Sequence, residues 1–128
     1  MLTIEQAREL EIWQETALIG RARPLPKASA LKALEEMIEL AFACGASVDD
    51  VARVTATECN KAHTREYAYP EFPDQEEMEK EFGDVVCCLY MIAYFNQIPM
   101  TEAVTNTLMR ISSREWTPNE ESILVRQK

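Results

Sequence analysis

The chain has 128 residues, 47% of them hydrophobic, and a formal net charge of −9. That length and apolar content suit one globular domain with a modest core and exclude a disordered chain. The negative charge disfavours nonspecific binding to a nucleic-acid backbone, and no apolar run approaches the length of a membrane span.

Thr3-Ile4-Glu5-Gln6 has the form of a capping box, so a helix is expected from about Ile4 to Ile19, ended by Gly20, with Leu10, Trp13, Ala17 and Leu18 on its apolar side. The acidic residues near the start and the absence of an apolar core segment argue against a signal peptide. Arg21 to Lys27 is a connection held extended by Pro24 and Pro26. Ser29 is the expected N-cap of a second helix running to about Cys44, with Gly45 at the position that closes a helix. Leu31, Leu34, Ile38, Ala41 and Phe42 form its main apolar face, and Leu40 lies opposite, which suggests a second packing partner.

Ser47-Val48-Asp49-Asp50 opens a third helix to about His63, with two acids near its positive end. Residues 64–73 carry Tyr67, Tyr69, Pro70, Phe72 and Pro73 and read as a loop. Asp74 is the expected cap of a long helix from about Gln75 to Asn96, in which Met78, Phe82, Val85, Leu89 and Ile92 recur at helical spacing. Thr101 is the expected cap of a last long helix to about Arg114, and Thr117-Pro118-Asn119-Glu120 suits one more helical turn before a frayed tail. No strand pattern is evident. The expected class is all-α, and a helical bundle is the natural packing for helices of this length.

Two pairs of carboxylates stand out. Glu81 lies about 60° from Met78 around the long helix, at the edge of its apolar stripe, and Asp84 follows on the same side. Glu36 and Glu39 repeat the i, i+3 spacing in the second helix, preceded by Glu35. With 22 acidic residues in the chain, a single such pair carries little weight against ordinary solvated acids, but two on apolar-rich helices favour a metal cluster. If both helices pack together, each carboxylate pair at about 6 Å costs on the order of 3 kcal/mol at an effective dielectric of about 20. Summed over the quartet, that repulsion exceeds a small domain's net stability of roughly 5–15 kcal/mol. A divalent ion relieves it, and all-oxygen ligation selects Mg²⁺ or Mn²⁺.

Other chemistry is poorly supplied. The single histidine, His63, excludes a di-iron site built on a His from each of two helices and reads as a surface residue. Cys44, Cys59, Cys87 and Cys88 include no C-x-x-C pair and read as buried free thiols of a reducing cytosol. No glycine-rich phosphate loop is present. Trp13, Tyr67, Tyr69 and Trp116 are stacking candidates, though such residues more often serve packing. Lys61, Arg65, Lys80, Arg110 and Arg114 are phosphate-contact candidates; Arg110 and Arg114 stand out for their i, i+4 spacing.

The segments Glu35-Glu36-Met37-Ile38-Glu39 and Glu81-Phe82-Gly83-Asp84 resemble the paired E-E-x-x-E and E-x-x-D signature of the MazG-like all-α nucleoside triphosphate pyrophosphohydrolases. The likeness covers roughly residues 29–44 and 75–114. It implies that Glu36, Glu39, Glu81 and Asp84 bind Mg²⁺, with Glu35 as a further candidate, and that a nucleoside triphosphate is cleaved between its α and β phosphates. It also implies a four-helix bundle in a homodimer or homotetramer whose subunits complete the site. The interval between the motifs is longer here than in compact members. The last helix, which in such enzymes offers Lys or Asn to the phosphates, reads Asn106-Thr107, leaving Asn106, Arg110 and Arg114 as substrate-contact candidates. A phosphoribosyl-ATP pyrophosphohydrolase shares the quartet and is the nearest alternative. A helical interaction protein without chemistry is the other.

Overall fold

A computed structural model describes residues 3–17, 23–64, 73–114, 116–121 and 123–126. The described residues form five helices, α1 (Ile4–Ala17), α2 (Pro26–Ala43), α3 (Val48–His63), α4 (Gln75–Phe95) and α5 (Met100–Ser112). A ribbon of two short strands follows, β1 (Trp116–Pro118) and β2 (Leu124–Arg126). The class is all-α, as the helical periodicity requires. No helix among the described residues is long and apolar enough to cross a membrane. The chain divides into two compact units, Leu25–Asp74 and the remainder, and each is described by itself.

In the first unit α1 opens with the expected capping box. Thr3 Oγ1 accepts from the Gln6 backbone N–H at 3.1 Å, and Gln6 Oε1 accepts from the Thr3 N–H at 3.0 Å. The Gln6 side chain then reaches α5, donating from Nε2 to the Thr101 carbonyl at 3.0 Å and to Thr105 Oγ1 at 2.6 Å. Gln6 is the buried polar residue of the described chain, 6% exposed, and all its polar atoms are matched. At the other end of α1, Trp13 meets Trp116 edge to face, ring centroids 5.7 Å apart. Trp116 also donates its indole N–H to the Ile111 carbonyl at 2.7 Å. These two anchor points set α1 and α5 running in the same direction.

The segment expected to form a helical turn at 117–120 is instead strand and loop. Trp116 pairs with Arg126, Thr117 with Val125 and Pro118 with Leu124 in antiparallel register. Asn119 Oδ1 accepts from both the Glu121 and Ile123 N–H groups at 2.9 Å, which closes the loop and competes with a helix start. Leu124, expected in a frayed tail, is buried at 8% exposed.

Two expected caps shift. α2 begins at Pro26 after Leu25 rather than at Ser29, because Pro at the first helical position loses no hydrogen bond and presets φ. α5 begins at Met100 after Pro99, so Thr101 lies inside the first turn, and the helix ends at Ser112, leaving Arg114 beyond it. Ser47 and Asp50 form a reciprocal capping box on α3. Residues 18–20, which hold the expected end of α1, and the aromatic segment 65–72 lie outside the described residues.

The ends of α2 and α4 use one device. Ala46 N–H bonds to the Ala41 carbonyl at 3.0 Å and Gly45 N–H to Phe42 at 2.9 Å, with Gly45 at φ 98°. Ile98 N–H bonds to the Ala93 carbonyl at 2.9 Å, but the left-handed position there is Gln97, at φ 54°. A Cβ at Gly45 meets no atom within 4 Å, so conformation alone sets the effect of substitution. Gln97→Gly is expected to stabilise and Gly45→Ala to destabilise, each by about 1 kcal/mol, as read by thermal melting.

Gln6→Leu removes the side-chain bonds joining α1 to α5 and leaves the Thr101 carbonyl without that donor. The expected cost is roughly 1–3 kcal/mol, read as faster amide exchange in α1 and α5 with α2 and α3 unchanged.

Asp50 is held below the ordinary carboxylate range, first by the Ser47 backbone N–H and then by the Ser47 hydroxyl and Arg53. A depressed folded pKa gives stability above the unfolded value that is lost as pH falls through the folded one. Helicity of α3 is therefore expected to drop below about pH 4, and Asp50→Asn to remove that acid-dependent step, measured by circular dichroism and residue-resolved NMR.

Candidate functional site

Glu36 and Glu39 stand one turn apart on α2, both exposed. The opposite side of α2, with Leu34, Met37, Ile38 and Ala41, lines an apolar groove of about 220 Å³ shared with Val51 and Val54 of α3. Helical spacing therefore turns the carboxylate pair away from α3. Leu40, half-buried, stands nearer the acidic side than the groove, as the sequence suggests. Lys32 lies one turn upstream, with Nζ 3.0 Å from Glu35 and 3.2 Å from Glu36. Its ammonium pKa is raised, chiefly by the hydrogen bond to Glu35 and next by that to Glu36. Glu35 thus belongs, with Glu36, to a lysine-centred surface cluster.

In the other unit, Glu81 and Asp84 stand one turn apart on α4, also exposed. Lys80 Nζ is 3.6 Å from Glu81 and 3.9 Å from Glu77. Each half of the quartet therefore carries one neighbouring lysine, a feature that the acidic motifs alone do not announce. Exposed pairs of this kind contribute roughly 0–1 kcal/mol, so neither lysine holds its carboxylate against a stronger cation.

The two pairs belong to different units. The structure brings Glu36 to Glu39 and Glu81 to Asp84. Within either unit no group of three or more His, Cys, Asp or Glu among the described residues gathers to hold a metal ion. Each pair by itself offers hard oxygen donors without nitrogen or sulfur, which suits Mg²⁺ or Mn²⁺ and is too few for a full coordination sphere.

The α4 stripe beside Glu81 is left open by its own unit. Phe82 is 70% exposed and Val85 46%, and farther round the helix Tyr94 is 81% and Phe95 71% exposed. The cysteines differ from expectation for the same reason: all four are free, as expected, but exposed rather than buried. Cys87 and Cys88 lie on a helix whose faces find little cover within its unit.

On α5, Asn106 and Arg110 lie away from the Thr101–Thr105 side that meets α1. Arg110 is exposed and donates to Thr107 Oγ1 at 3.5 Å. Arg114 lies past the helix end, its N–H bonded to the Ile111 carbonyl, so it does not stand on the helix that carries Arg110, as the expected helix to about Arg114 required. His63 is exposed at the end of α3. Tyr67 and Tyr69 lie outside the described residues.

Comparison of the chain with protein-family models, with curated proteins and with solved structures finds no match.

Proposed function

We propose that the chain is a Mg²⁺-dependent nucleotide pyrophosphohydrolase that cleaves a nucleoside triphosphate between its α and β phosphates, yielding a monophosphate and pyrophosphate. The observation that carries this reading is the pairing of Glu36 with Glu39 and of Glu81 with Asp84, each pair exposed on a helix with apolar residues that its unit leaves uncovered. On α4 a partner surface that covers Phe82 and Val85 also meets Glu81 at the edge of the stripe. Mg²⁺, with Mn²⁺ as a substitute, supplies charge neutralisation at the triphosphate and a more acidic water.

In this reading Glu36, Glu39, Glu81 and Asp84 hold the ions, and Glu35 stands as a further oxygen donor once Lys32 moves off it. Glu36 or Glu39 takes the proton from the attacking water. Asn106, Arg110 and Arg114 are the candidates for triphosphate contact, where their donors offset charge on the leaving pyrophosphate. The chain works as a cytoplasmic homodimer or homotetramer of helical bundles, and its acidic surface admits the anionic substrate only with ions between them. Phosphoribosyl-ATP is the alternative substrate, separated by a substrate panel. The exposed apolar residues of α4 favour a second reading, a helical interaction protein without catalysis.

Pyrophosphate release from dCTP or dUTP in Mg²⁺ is the test, with phosphoribosyl-ATP and other nucleotides in parallel. Glu39→Gln and Asp84→Asn are each expected to lower turnover at least about 100-fold, a loss of roughly 2.7 kcal/mol of transition-state stabilisation. Unchanged turnover in both variants removes the quartet from the mechanism. The absence of any turnover or nucleotide-dependent thermal shift across the panel favours the interaction protein.

A further inference from the structure

A groove of about 450 Å³ runs between α1 and α5, wholly within one unit. That volume falls within the range of about 300–1,000 Å³ typical of small-molecule sites. Its walls are chemically unlike. Glu5 and Glu9 stand on the α1 side, one helical turn apart, with Trp13 a further turn on. Leu108 and Met109 give the α5 side an apolar surface, and Thr105 adds a hydroxyl. The Gln6 amide crosses from α1 to α5, and its bonds to Thr101 and Thr105 keep the two helices in register.

We infer that this groove binds a linear aliphatic polyamine. Positions four apart on a helix are separated by about 6 Å along the axis, which places Glu5 and Glu9 to receive two ammonium groups of one extended chain. The methylenes between those groups lie against Leu108, Met109 and the Trp13 indole, as lysine stems lie along apolar surface with their charges in water. The indole adds attraction for a cation near its face. A hydrated Mg²⁺ ion gains nothing from the apolar wall, and two carboxylates do not complete its shell. An anionic ligand meets Glu5 and Glu9 unfavourably. The assignment is independent of the pyrophosphohydrolase reading, since neither glutamate belongs to the carboxylate quartet.

The test is titration of the full chain with spermidine and 1,5-diaminopentane at fixed ionic strength, followed by calorimetry and by tryptophan fluorescence. The chain has two tryptophans: Trp13 lines the groove, and Trp116 packs edge to face on Trp13. Saturable binding with a fluorescence change is expected, weaker for n-butylamine and for Mg²⁺. Glu5→Gln with Glu9→Gln is expected to weaken binding about tenfold. The control Glu120→Gln with Glu121→Gln should leave it unchanged. Met109→Lys places a cation on the wall at a position 68% exposed, keeps both glutamates, and is also expected to weaken binding. Undiminished affinity in the Glu5/Glu9 variant with its helix content intact, or in Met109→Lys, overturns the assignment. So does equal loss in the control, equal binding of Mg²⁺, or no saturable binding in the unmodified chain.

Discussion

One buried amide organises the unit that holds α1 and α5. Gln6 closes the capping box of α1 with its carbonyl oxygen and ties α1 to α5 with its nitrogen, joining positions 95 apart in sequence. A buried amide left without partners costs several times what a satisfied one contributes, so its bonds select one registry of the two helices over sliding alternatives. The parallel course of α1 and α5, the groove between them, and the seating of Trp13 on Trp116 follow from that registry.

The remaining helices are under a different constraint. α2 packs its Leu34–Ala41 side toward α3, and α4 keeps Phe82, Val85, Tyr94 and Phe95 open within its own unit. Apolar side chains of this size contribute about 1.5–3 kcal/mol each when fully buried, so such faces favour any surface that covers them. On both helices a carboxylate pair stands off the apolar side. On α4 a surface that covers Phe82 and Val85 also comes close to Glu81 at the edge of that stripe. The proposed catalytic reading rests on a hard cation answering the charge of these carboxylates.

The helices were legible because their signals are local. Thr3 and Gln6, and Ser47 and Asp50, are three residues apart, and their reciprocal bonds need nothing beyond one turn of helix. Gly45 announced the end of α2 through the left-handed backbone it adopts. Where local signals competed, simple propensity misplaced the boundary: Ser29 is a good cap, but Pro26 already serves as a first helical residue. The ribbon at 116–126 escaped notice because three-residue strands have no readable alternation, and Pro118-Asn119 suits a helix start as well as a loop. The exposure of the four cysteines reversed an expectation based on residue type, because burial depends on what a unit places over a side chain.

The amino-acid order by itself determined the all-α class, the positions of the five helices and the pairing of Glu36 with Glu39 and Glu81 with Asp84, since all of these depend on neighbours within one or two helical turns. Tertiary structure decided that Gln6 reaches Thr101 and Thr105, that Trp13 meets Trp116, and that Glu5 and Glu9 share a groove with Leu108 and Met109. Those contacts join residues about a hundred positions apart, and no periodicity along the chain encodes which distant side chain will satisfy a given donor.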